Sequence, residues 1–376
     1  MRSSNGTYYP GLDHLRALAA FLVFGWHFTH GFNGFPAPFG PGATPVLAPF
    51  NEGHCGVALF MCLSGYLFAK LLDGKEVIWR NFYWNRFVRL GPLLIILFTL
   101  RGLMIAYEQP DLLGNYAAFL IVGFIKPIWE HGAWSVAVEI HFYLLLWLII
   151  PLTRRWAPSL FCTVAVALII RTVIHASGGD VEYYAYFTIF GRIDQFVLGI
   201  AAWTFRDVLT GRHVWMALST AAFFAFYQAF ADIGGYYAAR GTPLVWIVIP
   251  TIEAAYFSFL VVYYDTTFVF GHGRLWRFLQ AAGAASYSIY LLHTFFVFDL
   301  AKWLNDRIPG MSTWEMSELV VLPIFAAFVP VAWLCYRLVE MPFLRFRTRY
   351  TAPGLQSLPR DSTENVPARA IRAVAE

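Results

Sequence analysis

The chain has 376 residues, of which 59% are hydrophobic and 13% charged, against roughly 25% charged in typical soluble domains. That balance excludes a soluble fold for most of its length. Repeated apolar runs of about 18 to 22 residues, each long enough to span lipid as a helix, predict an all-α, polytopic transmembrane helix bundle. The formal charge of +4 comes from basic residues spread over short loops, which argues against nucleic acid as a partner. Four cysteines with no CxxC or Cys/His grouping leave no sign of a metal site.

In chain order, spans are expected near residues 12–32, 54–72, 90–107, 134–152, 158–177, 188–204, 214–232, 243–263, 281–300 and 318–338, about ten in all. The first run lacks a basic n-region and a cleavage site, so it is expected to stay as a membrane helix. With the N-terminus inside, the cytoplasmic segments hold Lys75, Arg80, Arg86, Arg89, Arg154, Arg155, Arg206, Arg212, Arg274, Arg277, Arg345, Arg347 and Arg349. The opposite segments hold fewer, namely Lys126, Arg240, Lys302 and Arg307. This asymmetry predicts that both termini are cytoplasmic. The stretch 112–131 contains Gly123 and the Lys126–Pro127 step and reads as a re-entrant or surface helix on the outer side. Residues 1–350 thus form a membrane-embedded domain, and the Pro-, Ser- and charge-rich 351–376 a disordered cytoplasmic tail.

Ionisable groups within such spans are expensive and mark candidate sites. The first span holds Arg16 and His27. Eleven helical residues turn about 1100°, which leaves the two roughly 20° apart on one face and about 16 Å apart along the axis. Arg86 and Arg89, three apart in WRNFYWNRFVRLGP, share a helical face and read either as an anion cradle or as positive-inside anchors. In WSVAVEIHFY, Ser135, Glu139 and Tyr143 recur every four residues and share a face. Glu139 needs a partner, which could be an imidazole or an arginine among Arg101, Arg171 and Arg192. His141 points elsewhere and suits packing. FGRIDQFVLG aligns Arg192 with Phe196 and Gly199, the glycine being suited to close helix packing. GAASYSIYLLH carries Ser286, Tyr287, Ser288 and Tyr290 before His293, which either competes with His27 for a catalytic role or bonds between helices. Glu340, in YRLVEMPFLRF, is expected at the surface in a helix-ending salt bridge.

Together these segments resemble the acyltransferase-3 family of polytopic membrane O-acyltransferases. The resemblance lies in LDHLRALAAFLVFGWH, with its arginine and histidine separated by ten residues, GVALFMCLSGYL, RFVR followed by LGP, WSVAVEIHFY, FGRIDQFVLG, SYSIYLLH and YRLVEMPF, in family order across almost all of 10–345. The chain departs from the family pattern at Ala58, Ile140 and His141. The resemblance implies a multi-pass enzyme of the cell membrane, in bacteria the cytoplasmic membrane. It would transfer an acyl group, most often acetyl, from cytoplasmic acyl-CoA to a hydroxyl of a glycan or secondary metabolite. It also implies functional roles for Arg16, His27, Arg86, Arg89 and Glu139.

Chemistry then distributes those roles. An alcohol needs a base, and an imidazole with a pKa near 6.5 is matched to that task around pH 7. His27 is expected to serve, as base or as acyl carrier. Arg16, Arg86 and Arg89 would hold the donor, Glu139 would orient His27 or the acceptor, and Ser135, Tyr143, Arg192 and His293 are additional candidates. Acyl-CoA is a co-substrate, and no tightly bound cofactor is expected. A proton-coupled transporter of a small polar solute is the alternative, although no inverted repeat is evident. GxSxG, HExxH, Walker A and GxGxxG sequences are absent.

Overall fold

The structure, a computed structural model, describes residues 8–31, 36–37, 47–238, 243–271 and 273–353. Pro10 opens helix α1 (Pro10–His30) in its first turn, where a missing N–H costs nothing. There follow α2 (Gly56–Leu72), α3 (Trp79–Glu108), α4 (Leu113–Ile125), α5 (Ala133–Arg155), α6 (Ser159–Ala176), α7 (Val181–Phe187) and α8 (Ile189–Thr204). The second half comprises α9 (His213–Asp232), α10 (Pro243–Thr267), α11 (Arg274–Ala284), α12 (Ser286–Leu292), α13 (Val297–Asn305) and α14 (Trp314–Cys335).

Among the described residues, seven helical stretches are long and apolar enough to cross a membrane: 53–72, 79–108, 133–155, 159–176, 213–232, 244–267 and 314–344. The chain is therefore a multi-pass membrane protein. Three expected spans are not in this set, and each differs in its residues. α1 carries Asp13, His14, Arg16, His27 and His30. α8 has 16 residues and includes Arg192, Asp194 and Gln195. The segment near 281–300 is broken into α11, α12, a 3₁₀ turn at His293–Phe295 and α13. The polar groups of these segments are largely buried in the protein. Arg192, Asp194 and Gln195 are buried, and Asp194 forms an ion pair with Arg171 at 2.8 Å with neither side chain exposed.

α2 and α8 pack at backbone distance through two glycines. A Cβ on Gly65 would fall on the Phe196 carbonyl oxygen, and one on Gly199 on the Cys62 carbonyl oxygen. Gly199 thus does what its place in FGRIDQFVLG predicts. α4 is short and largely exposed, and the chain folds back after it so that the Trp129 indole donates to the Leu120 carbonyl (2.8 Å). The His141 ring packs edge-on against Phe124. All four cysteines are free thiols.

The loops sort into two ends. At one, Trp203 donates to Asp73 (3.0 Å), Arg154 to the Lys75 carbonyl (2.9 Å) and Thr210 to Thr266 (2.9 Å). At the other, the Tyr236 amide donates to Glu52 (3.2 Å), and the side chains of His131 and Thr294 meet at 3.1 Å. The basic loops lie at the first of these ends.

Two expectations about the last segment change. Strand β1 (Lys75–Val77) pairs antiparallel with β2 (Thr351–Pro353), so residues 351–353 belong to the folded body, and 354–376 lie outside the described residues. Composition misses this because the pairing partner is remote in sequence and Tyr350 is anchored by stacking edge-on against Phe82. Glu340 is not in a surface salt bridge. It is buried in a π-helical turn at Tyr336–Glu340 and accepts a hydrogen bond from Ser288 (2.6 Å) on α12.

Candidate active site

Arg16, Arg86, Arg89, Ser135, Glu139 and Tyr143 converge on one cavity of about 780 Å³, mouth included. α1 supplies Arg16, the first turns of α3 supply Arg86 and Arg89, and one face of α5 supplies Ser135, Glu139 and Tyr143. Apolar walls come from Val57, Phe60, Met61, Phe68, Leu90 and Phe196. Apolar walls with convergent polar groups are the usual form of a small-molecule site, and this one is richer than most in the polar groups.

One end of the cavity is cationic. Arg16 is 9% exposed and bonded to Asp13 at 3.1 Å, one helical turn before it. The Arg86 guanidinium lies over the rings of Phe68, Phe82 and Tyr143, at 5.0, 5.5 and 5.8 Å from their centres. Among the described residues its buried Nε has no hydrogen-bond partner. Arg89 lies close enough to Arg16 and to Glu340 to interact with both electrostatically.

The Glu139 carboxylate accepts hydrogen bonds from Ser64 (2.8 Å) and from the Tyr143 hydroxyl. The arginines weighed as its partners are engaged elsewhere: Arg101 with Glu130 (3.3 Å), Arg171 with Asp194, and Arg192 with Gln195 (2.9 Å) and the Tyr186 carbonyl. Arg192 stands outside the cavity lining, stacked on Tyr186 at 4.2 Å, and with Gln195 and Glu253 forms a buried polar network. Ser64 escapes the sequence reading, although a serine within an otherwise apolar span was an available signal.

His27 and His293 do not line this cavity, yet they meet each other. His293 Nε2 is 3.2 Å from His27 Nδ1, which also faces the Val23 carbonyl at 2.8 Å. His293 Nδ1 faces the Ile289 carbonyl at 3.2 Å. One protonation pattern satisfies every contact. With the proton of each ring on Nδ1, His293 donates to Ile289, and His27 donates to Val23 and toward the lone pair of His293 Nε2. His27 Nε2 is then left as a lone pair. The pair adjoins the far end of the cavity, because α12 carries Tyr287 and Tyr290 into the lining just before it delivers His293. There Ser135 donates to the Tyr290 hydroxyl at 2.7 Å.

A profile of the acyltransferase-3 family, described as an acyltransferase domain, matches residues 9–337. The chain belongs to the acyltransferase-3 family. It is 23% identical to the peptidoglycan O-acetyltransferase OatA of Listeria monocytogenes, over 89% of this chain and 56% of that protein. An O-acetyltransferase OatA of Staphylococcus aureus is 23% identical over 89% and 57%, and a putative peptidoglycan O-acetyltransferase YrhL of Bacillus subtilis 24% over 78% and 49%. The chain thus spans about half the length of the curated relatives it matches. No solved structure matches it significantly. Family membership leaves the transporter reading without support.

Proposed function

We propose that the protein is an O-acyltransferase moving an acyl group, acetyl in the first instance, from cytoplasmic acyl-CoA to a glycan hydroxyl. The observation that carries this reading is the two-ended cavity. Guanidiniums gather at the end shared with the basic loops, and the Ser135–Tyr290 contact lies at the other, with the paired imidazoles behind it and outside the lining. CoA has anionic phosphates on a long pantetheine arm, and arginines suit phosphate recognition. The arm would carry the thioester along the apolar walls toward the histidines. In this reading α1, α8 and the broken α11–α13 also cross the membrane, which brings the number of passes to ten and both termini to the cytoplasmic side.

His27 Nε2 would take the acceptor hydroxyl's proton as its oxygen attacks the thioester carbonyl. Collapse of the tetrahedral species breaks the C–S bond, and the departing thiolate takes the proton from the imidazolium. In the covalent variant the same Nε2 attacks the thioester first, the C–S bond breaks to release CoA thiolate, and an Nδ1-protonated acyl-imidazolium forms. The acceptor oxygen then attacks the acyl carbon, the C–N bond breaks to restore the neutral ring, and the hydroxyl proton passes to the thiolate. Glu139 would balance the cationic end and hold Ser64 and Tyr143 in place rather than orient His27. The peptidoglycan named for the relatives makes a cell-wall glycan the first acceptor to test.

The test is turnover of acetyl-CoA by the purified full chain, with acceptor glycans supplied and esters followed by mass spectrometry. Release of CoA together with a new ester supports the proposal. Binding of a solute with the thioester left intact would overturn it.

A further inference from the structure

The segment after α14 turns back along the first turns of α3, the helix that carries Arg86 and Arg89. Trp84 donates to the Phe346 carbonyl (3.0 Å) and Asn81 to the Arg349 carbonyl (2.9 Å). Asn85 makes two bonds with one residue, donating to the Thr348 carbonyl (2.7 Å) and accepting from its amide (2.9 Å). The Ile78 amide donates to the Tyr350 carbonyl (2.9 Å), and the β1–β2 pair follows. Arg347 lies between two of these anchored residues.

Its position is electrostatically unfavourable as it stands. Burial and then the positive charges of Arg89 and Arg86 lower its pKa, with Tyr336 and Tyr350 opposing. Its buried Nε, like that of Arg86, has no hydrogen-bond partner among the described residues. Glu340 is near enough to be felt; one oxygen of its carboxylate accepts from Ser288, and the other is buried without a hydrogen-bond partner among the described residues, so a single carboxylate faces three guanidiniums. Guanidiniums held together against their own repulsion, two of them with a buried Nε unused, favour the approach of an anion.

We propose that Arg347 is a donor-binding residue that acts with Arg86 and Arg89 on the nucleotide phosphates of acyl-CoA. This rests on the acyl-CoA reading above. Arg86 and Arg89 line the cavity and Arg347 does not, so Arg347 suits the part of the donor left at the mouth. A CoA carries a pyrophosphate and a 3′-phosphate there, more charge than two guanidiniums balance. The sequence pattern gives Arg347 only an anchoring role, because its neighbours Arg86 and Arg89 are more than 250 residues away.

The experiment measures inhibition of acetyl transfer by CoA and by adenosine 3′,5′-bisphosphate, using the full chain purified in detergent. Arg347→Ala should raise both inhibition constants about tenfold, the loss expected for one charge-assisted contact at a hydrated mouth. Arg347→Lys should fall between, and kcat at saturating donor and the acceptor KM should hold. Asn85→Ala, which frees the segment while keeping Arg347, should weaken both inhibitors in the same sense. Arg347→Gln replaces the alanine variant if that fails to fold. Unchanged inhibition by CoA, or an equal loss in kcat and acceptor KM, would overturn the assignment. Arg86→Ala is run beside it. If that variant also binds CoA normally, the acyl-CoA reading itself fails; if only Arg347→Ala is silent, this inference alone does.

Discussion

His293 Nε2 sits 3.2 Å from His27 Nδ1, joining the start of the 3₁₀ turn after α12 to the last turns of α1. Two histidines that look like rivals in the sequence are thereby one unit, with the free lone pair on His27. His27→Ala should lower acetyl transfer by roughly 10²- to 10⁴-fold, the usual contribution of a general base. His293→Ala should cost less, about tenfold, because Val23 still holds the His27 proton. Steady-state rates of both variants, in protein that retains its detergent-purified fold, check this. An inactive His293 variant beside an active His27 variant would reverse the assignment.

Arg86→Ala or Arg89→Ala should raise the KM for acetyl-CoA by about 10- to 150-fold, equivalent to losing roughly 1.5 to 3 kcal/mol of charge-assisted hydrogen bonding. Lysine should restore part of it, since it lacks the planar fork. Added salt should weaken donor binding in the wild type and less so in either variant. Variants that keep normal donor KM but reach the membrane poorly would return these residues to the role of anchors.

Glu139→Gln keeps an acceptor for Ser64 and Tyr143 but removes the charge opposite Arg16. The expected result is a fall in kcat of tenfold or more, whereas Tyr143→Phe, which removes one hydrogen bond, should cost only a few-fold. Equal activity of Glu139→Gln and wild type would show that the carboxylate serves only as a hydrogen-bond acceptor.

Orientation can be read by cysteine labelling in a Cys162→Ser background, Cys162 being the exposed native thiol. Cysteines at the exposed positions Ser177 and Ser312 should react with an impermeant reagent added outside, and ones at Glu76 and Arg212 should not. The inverse pattern would move the arginine-rich mouth away from cytoplasmic acyl-CoA. Gly235 makes a poor labelling site, because a side chain there would fall on the Glu52 carboxylate.

Gly65→Ala and Gly199→Ala each push a methyl into the backbone of the facing helix. Overpacking of this kind costs about 1 to 3 kcal/mol, so both variants should melt earlier in detergent than the wild type. Gly114→Ala, where a Cβ meets nothing, should melt as the wild type does.

Much of the cavity was legible because its residues follow helical spacing. The four-residue rhythm of Ser135, Glu139 and Tyr143 and the three-residue step from Arg86 to Arg89 survive folding unchanged. Asp13 likewise meets Arg16 at a distance the helix dictates. What spacing could not give are contacts between remote segments. Ser64 reaches Glu139 across α2 and α5, Ser288 reaches Glu340, and His293 reaches His27 through 266 positions of chain. Span length likewise could not be read from apolar runs alone: α8 ends after 16 residues, and the run near 281–300 is divided into short helices that no single crossing helix joins.

The bonds between Asn85 and Thr348 span 263 positions. During synthesis, α3 emerges long before the strand that clasps it. A chain still being made, or one that stops before its last crossing, has the cavity walls but an incomplete rim. If the donor is gripped there as proposed, competence arrives with the final residues of the folded body, and unfinished molecules should leave the cell's thioester pool untouched.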